Sequence, residues 1–375
     1  MKIGFYAPMK PPTHASPSGD RTIARLLMRA LEAAGHQVQL VSELRSLDIA
    51  GQPAEQHRIE TQSRLEIARI LESQRAEPKN GIDLWFTYHL FHKAPDWIGP
   101  AISQHLSIPY VIAEASYAPK QKNGPWKGGL SQVEVALKRA TGVISLNPRD
   151  IPCVQPFLSP AAAQLSLLPF AEDAFDPSVC TTAGKQMLAT VYGLPADRPW
   201  LISVAMMRPG DKLCSYQMLA KALEALLDEP WHLVVIGDGE ARESVVHAFD
   251  ALSDRAYFCG ALESAKVEAL VRASDLFVWP AVNEAFGMAI LEAQRLGIPV
   301  VAGYTDGVAT IVIDQKTGLL THPKDLSEFT AGLRDLLQHP SRREEMGRLA
   351  RENFLLKHNF RVAKERIGDF LNALV

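Results

Sequence analysis

The chain has 375 residues, of which 47% are hydrophobic and 22% are charged, and its formal net charge is −3. This length predicts two domains, because single hydrophobic cores rarely grow beyond ~250–300 residues. A nearly neutral charge argues against a protein that relies on bulk attraction to a polyanion, so we expect no nucleic-acid partner.

The sequence also indicates the cellular compartment of the protein. The four cysteines are scattered, without Cys-x-x-Cys pairs or neighbouring histidines, which indicates reduced thiols and no structural zinc. No window approaches ~18 uninterrupted apolar residues, and the N-terminus lacks a signal-peptide pattern. We therefore expect a cytoplasmic protein.

Short apolar runs alternate with amphipathic helical patterns in the first half of the chain. The run "KIGFYA" predicts a strand, followed by a helix from about Asp20 to Ala34 and the strand "VQLVS". Further strands are predicted at "DLWFT", "YVIA" and "GVIS". This alternation is typical of a parallel sheet covered by helices on both faces.

The alternation lapses between about Ser159 and Trp200, where the sequence is rich in Pro, Asp, Gly and Thr. We place a domain boundary there, with one domain over 1–178 and another over 179–356. Strands of the second domain are predicted at "WLISVA", "HLVVIGDG", "AYFCGA", "LFVWP", "PVVAG" and "TGLLT". The tail from about Ser341 to Val375 is predicted to be helical throughout.

Loops that follow the strands are the candidate sites, because ligands of doubly wound sheets bind beyond the carboxyl ends of the strands. In the first such loop, Gly19 stands at a helix entry, where a glycine lets backbone N–H groups approach an anion. The alternative is a flexible loop with Asp20 as the N-cap. No Gly-x-Gly-x-x-Gly is present, which argues against a dinucleotide-dependent dehydrogenase.

The loop "SVAMMRPGDKLCSY" carries two cations, Arg208 and Lys212, after the first strand of the second domain. A fork-shaped guanidinium and a compact ammonium can neutralise a diphosphate leaving group without a metal. Two solvated surface cations are the alternative reading.

The loop "NEAFGMAILE" carries two glutamates. Asn283 is the expected N-cap of a helix from Ala285 to Leu296, with Glu284 in its first turn. Glu292 falls on the apolar side of that helix, where a carboxylate is rarely buried without a partner. Eight helical residues would separate the two carboxylates by about 12 Å, a span suited to two hydroxyl-bearing parts of one ligand. An ion pair between Glu292 and Arg295 is the alternative.

Together these loops resemble the signature of glycosyltransferase family 4, whose members have the GT-B fold of two Rossmann-like parallel-sheet domains facing a central cleft. The segment "NEAFGMAILEAQRLGIPVVAG" is similar to the family's motif of two glutamates with seven residues between them, and the similarity continues through "DGVATIVIDQKTGLL". It covers about Trp200 to Met346, and the first half matches loosely. The resemblance also implies that a helix over 357–375 returns to the N-terminal domain.

The resemblance implies a site for a nucleoside diphosphate sugar. Glu284 would bind hydroxyls of the donor sugar, Glu292 would bind the ribose hydroxyls, and Arg208 with Lys212 would stabilise the leaving diphosphate. The remaining donor contacts are main-chain positions near the sugar, the phosphates or the base: Gly19, Phe286, Gly287, Met288, Gly260, Ala261 and Leu262.

The sequence departs from the family pattern at three places. Arg208 and Lys212 are one residue closer than is usual, and Leu rather than Gly follows the lysine. The segment "FAED", residues 170–173, replaces a common Asn-Gly-x-Asp. A histidine that many members place after the fourth strand is missing, which leaves Glu114 as the nearest titratable group and a candidate catalytic residue; the alternative is a strand-end carboxylate bound to backbone.

By resemblance, the expected activity is a metal-independent hexosyl transfer with retention at the anomeric carbon, without a cofactor besides the donor. The acceptor hydroxyl would belong to a glycan, an exopolysaccharide or a glycolipid. Two alternatives stay open: a catalytically silent nucleotide-sugar sensor or scaffold, and a GT-B epimerase that converts the nucleotide sugar without an acceptor.

The acceptor is expected on the N-terminal domain, where aromatic faces alternate with polar tips. The candidate contacts with a carbohydrate or lipid-linked acceptor are Tyr88, His89, Lys93, Tyr117 and Trp126. Nearby, five cations accompany a single acid, Glu134: Lys120, Lys122, Lys127, Lys138 and Arg139. This excess predicts peripheral contact with anionic headgroups at the inner face of a membrane, with a solvated surface as the alternative.

Overall fold

The computed structural model describes residues 1–16, 18–76, 81–173 and 182–374, and only the backbone of residues 182–184. It contains two six-stranded sheets in which every pairing between named strands is parallel, flanked by helices. The predicted fold class, two Rossmann-like parallel-sheet domains, is confirmed. Among the described helices, none is long and apolar enough to cross a membrane.

The elements up to residue 168 follow the predicted βα order. They are β1 (Lys2–Tyr6), α1 (Gly19–Ala33), β2 (Gln37–Ser42), α2 (Pro53–Ala76), β3 (Leu84–Leu90), α3 (Gly99–Leu106), β4 (Tyr110–Ala115), α4 (Lys127–Arg139), β5 (Gly142–Ser145), α5 (Ile151–Val154) and β6 (Ala163–Ser166).

The second series of elements begins at residue 182. It comprises α6 (Thr182–Tyr192), β7 (Trp200–Val204), α7 (Asp211–Glu224), β8 (His232–Ile236), α8 (Arg242–Ala248), β9 (Ala256–Phe258), α9 (Ser264–Ala273), β10 (Leu276–Trp279), α10 (Met288–Arg295), β11 (Val300–Gly303), β12 (Gly318–Thr321), α11 (Leu326–Gln338), α12 (Pro340–Asn353) and α13 (Phe360–Asn372).

The chain divides into two compact units. Unit 1 comprises Met1–Leu168 and Phe360–Val375, and unit 2 comprises Pro169–Asn359. The expected boundary between residues 178 and 179 lies outside the described residues.

Unit 1 has the strand order β2-β1-β3-β4-β5-β6. Its central strands are buried along nearly their whole length, as their continuous apolar runs predict. The sequence analysis missed β6, because this edge strand alternates between half-buried and exposed residues and carries no apolar run.

Unit 2 has the strand order β12-β11-β10-β7-β8-β9. The first strand of the unit, β7, therefore lies in the middle of the sheet, and the chain winds outward from it in both directions. A crevice forms at such a reversal, beyond the carboxyl ends of the two central strands.

The C-terminal tail is not helical throughout, as the sequence analysis expected. After α12 the chain forms one π-helical segment, Phe354–His358, and Asn359 is extended with ψ 140°. Helix α13 then packs on α1, and its Phe370 lies against Gly142, where an added Cβ would be 2.9 Å from the ring. The break at Asn359 lets α13 belong to unit 1 instead of continuing α12.

Candidate active site

Unit 2 brings the loops after β7 and β10 to one edge of its sheet. These strands pair in parallel, with Leu276 opposite Leu201. Arg208 and Lys212 follow β7, and Glu284 follows β10, so all three lie at the point where the winding reverses. This is the edge at which open α/β sheets bind ligands.

Lys212 and Glu284 form an ion pair across this edge. The lysine Nζ contacts Glu284 Oε2, and the Trp279 indole Nε1 donates to the same oxygen at 3.2 Å. Nζ also lies 5.3 Å from the centroid of the Trp279 ring. The glutamate side chain is only 16% exposed. A carboxylate and an ammonium are thus held together, partly desolvated, beside an indole that contacts both.

Arg208 is the second cation of this edge. Its side chain is exposed and forms no hydrogen bond or ion pair with any residue that the structure describes. Lys212 stands in the first turn of α7, after Gly210 at φ 80°. The loop therefore offers one engaged and one available cation. Across the described ranges, no three His, Cys, Asp or Glu side chains are grouped as ligands for a metal.

The glutamate loop differs from its predicted form. Helix α10 begins at Met288, not at Ala285, and Gly287, not Asn283, precedes it. Asn283 and Gly287 have φ of 52° and 73°, values that interrupt a right-handed helix. Glu284 thus lies in a turn before the helix, and the expected spacing of both carboxylates along one helix axis is wrong.

Gly287 is required by its surroundings. Besides its positive φ, an added Cβ would lie 2.9 Å from Ile290 Cδ1. The first amides that bond within the helix turn are those of Ile290 and Leu291, both to the Gly287 carbonyl. The Met288 amide precedes them, at the position where helix N–H groups lack an intrahelical acceptor. Phe286 and Met288 are both half-buried.

Glu292 is half-buried on α10, and its carboxylate forms no hydrogen bond or ion pair within the described part of the chain. Burial raises the pKa of Glu292; the positive charge of Arg295 opposes this rise and the negative charge of Glu268 adds to it. A partly desolvated carboxylate gains from hydrogen bonds, so Glu292 is suited to accept them from the hydroxyls of a ligand.

The alternative partner of Glu292 is engaged elsewhere. Arg295 Nη2 donates to Glu268 Oε2 at 2.7 Å, and the other oxygen of Glu268 accepts from Arg272 at 3.1 Å. The predicted alternative, an ion pair between Glu292 and Arg295, is therefore not formed. Glu268 on α9 holds the arginine away.

The three predicted base contacts follow β9. Gly260 has φ 68°, and nothing lies within 4 Å of where its Cβ would be. Its carbonyl accepts from the Gly237 amide at 2.9 Å. Ala261 is exposed, and Leu262 is half-buried against the core. The loop offers open main chain beside β8, which suits contacts made without side chains.

In unit 1, titratable groups gather at the ends of neighbouring strands. Gly19 opens α1 after the N-cap Ser18, which corrects the expectation that Asp20 is the cap. Asp20 Oδ1 instead lies 2.9 Å from Nδ1 of His89, at the end of β3. Burial opposes the protonation of His89, yet the hydrogen bond and charge of Asp20 raise its pKa overall.

Glu114 lies at the end of β4 with φ 61°. Its carboxylate accepts a hydrogen bond from the Leu146 amide at 3.1 Å. The predicted alternative, a carboxylate bound to backbone at the end of a strand, is therefore observed. Burial raises the pKa of Glu114 to about 7; the charge of His89 opposes this rise and Asp150 adds to it. A carboxyl that titrates near neutrality suits proton transfer, and its catalytic role stays a prediction.

Two of the predicted acceptor residues are core residues. Tyr88 is 1% exposed and Tyr117 5% exposed, and the Tyr117 hydroxyl donates to Glu134 at 2.7 Å. Large aromatic side chains are buried here because they supply much of the apolar area of a core. Neither tyrosine side chain is therefore open to an acceptor.

Lys93 and Trp126 are brought together in the structure. The lysine Nζ lies 4.4 Å from the centroid of the Trp126 ring.

Of the five cations predicted to contact a membrane, Arg139 is engaged by the main chain, donating to the Ser103 carbonyl at 2.8 Å. The predicted membrane contact stays a prediction.

The sequence model of the family "Glycosyl transferases group 1" matches residues 191–353, which lie within unit 2 and include both glutamates and both cations. Residues 191–353 are therefore similar in sequence to the group 1 glycosyltransferases.

Two curated relatives match over stretches that each cover less than half of this chain. The sulfoquinovosyl transferase SQD2 of Arabidopsis thaliana is 31% identical over 158 residues, 41% of this chain and 30% of that protein. A D-inositol 3-phosphate glycosyltransferase of Xylanimonas cellulosilytica is 32% identical over 186 residues, 48% of this chain and 44% of the relative. The chain thus spans less than half the length of these relatives.

Solved structures share the whole fold. A sucrose-phosphate synthase from Thermosynechococcus elongatus superposes with a TM-score of 0.73 at 18% identity, covering 100% of this chain and 98% of that one. The Anabaena protein Alr3699/HepE in complex with UDP gives 0.73 at 17% identity and covers 100% of both chains. At this identity the likeness establishes the fold alone.

Sequence reasoning missed the roles of three residues that shape these sites, namely Trp279 and Glu268 in unit 2 and Asp20 in unit 1. Trp279 gives a signal in retrospect, since it is the last residue of a strand that ends at the ligand edge. Asp20 was seen only as a cap, and its contact with His89 joins residues 69 positions apart. Glu268 gave no signal, because the sequence pattern of an amphipathic helix does not distinguish a glutamate paired with an arginine from a solvated one.

Proposed function

We propose that the chain transfers a sugar from a nucleoside diphosphate sugar to an acceptor hydroxyl, with retention at the anomeric carbon and without a metal. One observation carries this proposal: in a unit that matches the group 1 glycosyltransferases, the two motif carboxylates differ in state. Glu284 is held by Lys212 and Trp279, whereas Glu292 is half-buried and has no bonded partner among the residues that the structure describes.

Glu292 is assigned to the ribose. Two vicinal hydroxyls can each donate a hydrogen bond to one carboxylate oxygen, which would compensate for its partial desolvation. Because Arg295 pairs with Glu268, this arginine does not compete with the ribose for the Glu292 carboxylate. Nucleotide binding should therefore lower the pKa of Glu292 from its raised value.

Lys212 and Arg208 are assigned to the diphosphate. As the bond between the anomeric carbon and the phosphate oxygen breaks, the electron pair stays on that oxygen, and both cations stabilise the growing charge. The acceptor oxygen bonds to the anomeric carbon on the same face. Its proton passes to a phosphate oxygen of the leaving group, so the step balances without a protein base.

Glu284 is assigned to hydroxyls of the donor sugar. It forms an ion pair with Lys212, the lysine assigned to the phosphates. Open main chain at Gly260, Ala261 and Leu262 would hold the base, and the amides around Phe286, Gly287 and Met288 would face the phosphates. Gly19 in unit 1 is assigned to the donor phosphates by resemblance alone.

The first test is thermal stabilisation by UDP, GDP and ADP, each with and without EDTA. A ligand that binds only the folded chain raises its melting temperature. We expect a shift with one nucleotide that survives EDTA and shrinks in Glu292→Gln. The control Glu229→Gln alters a glutamate paired with Arg334 away from this edge and should leave the shift unchanged. The absence of a shift with every nucleotide would refute the donor site.

Turnover is tested with the sugar conjugate of the nucleotide that binds. Replacing both Arg208 and Lys212 by Ala should abolish transfer, whereas Lys221→Ala, on the same helix as Lys212, should not. Retained transfer in the double variant would contradict the assigned roles. Anomeric NMR of the product decides between retention and inversion. Tight binding without turnover would instead indicate a sensor, and conversion of the donor without an acceptor would indicate an epimerase.

A further inference from the structure

A pocket of about 210 Å³ lies within unit 1. Its walls come from the segments that follow β2 and β3, from the start of α2, and from the segment before α4. Those segments include Asp48, His92, Lys93, Trp97 and Trp126. Because β1 lies between β2 and β3, the pocket adjoins the reversal of winding in this sheet, the place where ligands bind.

Trp126 is held in a fixed orientation at this pocket. Its indole Nε1 donates to the Asp48 carbonyl at 2.8 Å. The ammonium of Lys93 lies over the ring, and the His92 ring meets it edge-on, with centroids 5.8 Å apart and planes at 78°. A rigid aromatic wall loses little conformational entropy when a ligand packs on it.

His92 supplies an unused hydrogen-bonding group. Its Nδ1 is buried and has no hydrogen-bond partner among the described residues. Burial lowers the pKa of His92, and the charges of Lys93 and Lys120 lower it further, which favours the neutral ring. A neutral imidazole can donate to or accept from a hydroxyl, and a buried polar atom without a partner is costly.

Asp48 is not a free acid. Its Oδ1 accepts from the amides of Ala50 and Gly51 at 3.1 and 2.9 Å, and Oδ2 accepts from Gln56 Nε2 at 2.9 Å. These bonds fix one wall of the pocket. The other polar side chains of the lining are Ser46, Gln56, His57, Glu60, His92 and Lys93. Ser46, Gln56 and Glu60 already bond to Pro95, Asp48 and Arg64, which leaves two imidazoles and an ammonium, groups that can bond to hydroxyls.

Two glycines bring the walls close together. A Cβ on Gly51 would lie 2.5 Å from Pro125 Cβ, and one on Gly129 would lie 2.2 Å from the His92 carbonyl oxygen. Backbone approach of this kind builds the pocket before any ligand arrives. Preformed concave sites with aromatic walls and a few polar groups are typical of small-molecule binding.

We propose that this pocket binds one polyhydroxylated six-membered ring, a sugar or a cyclitol, as the acceptor. The role as acceptor rests on the proposed function; the binding of the ring does not. Pockets for drug-sized ligands measure roughly 300–1,000 Å³, so this smaller volume suits a single ring rather than an extended glycan. Trp97 and Trp126 would pack on the faces of the ring, and His92 would bond one hydroxyl.

The test uses the full chain labelled with fluorotryptophan and observed by fluorine NMR. The sequence has six tryptophans, and Trp97→Phe and Trp126→Phe assign the two signals of the pocket. The probes are myo-inositol, methyl α-glucopyranoside, methyl α-galactopyranoside and methyl α-mannopyranoside, with glycerol as an acyclic control. The fully buried Trp85, Trp200 and Trp231 serve as internal references.

We expect at least one ring to shift the signals of Trp97 and Trp126 saturably, with a dissociation constant on the order of millimolar, while glycerol and the reference signals do not respond. His92→Phe should weaken this binding about tenfold by removing one bonded hydroxyl. His105→Phe, an exposed histidine on α3, is the matched control. No saturable shift with any ring, or a shift that persists in His92→Phe, would overturn the proposal.

The two proposals fail in different ways. If UDP, GDP or ADP stabilises the chain and transfer occurs but no ring binds, the pocket inference is wrong and the proposed function stands. If a ring binds but no nucleotide does, the proposed function is wrong and the pocket remains a ring site. A further variant tests whether the ring bound in the pocket is the acceptor of the transfer. Lys93→Met should raise the acceptor KM about tenfold and leave the stabilisation by nucleotide unchanged. An unchanged KM would remove the acceptor role.

Discussion

Replacing Glu268 by Gln is expected to weaken nucleotide binding from a position that does not touch the nucleotide. In the wild type, Glu268 bonds Arg295 at 2.7 Å and Arg272 at 3.1 Å, and Arg295 is three residues from Glu292 on α10. A neutral glutamine releases Arg295 from its ion pair. The guanidinium can then turn to Glu292, the carboxylate assigned to the ribose.

The magnitude follows from the exposure of the groups. The Glu268 side chain is 27% exposed and that of Arg295 8%, so a new pair with Glu292 would be only partly screened. Such a pair is worth about 1 kcal/mol, which is about a fivefold loss of nucleotide affinity. The variant should also be less stable by about 1–2 kcal/mol, less than the cost of breaking a fully buried pair.

Isothermal titration with the nucleotide that stabilises the wild type measures the affinity, and chemical denaturation measures the stability. The matched control is Glu345→Gln, which breaks an exposed pair with Arg348 and should change neither value by much. A variant that loses stability while its nucleotide affinity stays unchanged would refute the reasoning, because Arg295 would then not compete for Glu292.

Three further predictions rest on single residues. Glu114→Gln should stabilise the chain at alkaline pH. The folded pKa of Glu114 is about 7 and the unfolded value is 4.5, so the wild type loses stability as pH rises between these values, by at most about 3 kcal/mol. Chemical denaturation of both proteins at pH 4 and pH 8 measures this loss. Asp20→Asn should lower the pKa of His89, since its bonded carboxylate is lost, and NMR titration of the imidazole reports it; an unchanged pKa would mean that Asp20 does not hold the proton. Gly287→Ala should destabilise the chain by about 1–2 kcal/mol, because residue 287 has φ 73° and an added Cβ would press on Ile290. Gly19→Ala is the control, because Gly19 lies in a helix with open space around the added Cβ, and it should not destabilise the chain. Equal melting temperatures for the two variants would contradict this prediction.

Much of the fold could be predicted because its signals are local. Each buried strand of a parallel sheet is a continuous apolar run; the run "DLWFT" overlaps β3, and the run "HLVVIGDG" contains β8. The edge strand β6 escaped because half of its residues face solvent. The helix start at Met288 was not predicted, because the sequence pattern does not reveal that Asn283 has a positive φ.

The sequence by itself determined the alternation of strands and helices, the two cations after β7 and the two glutamates after β10, since each depends on neighbouring residues. Only the tertiary structure decided which charges meet. Lys212 pairs with Glu284 from 72 positions away, and Arg295 pairs with Glu268 from 27 positions away instead of with Glu292 on its own helix. The pocket beside Trp126 likewise joins segments that follow three different strands. Such contacts depend on the order of strands in a sheet, and that order arises when the apolar faces pack, after local preferences have been satisfied.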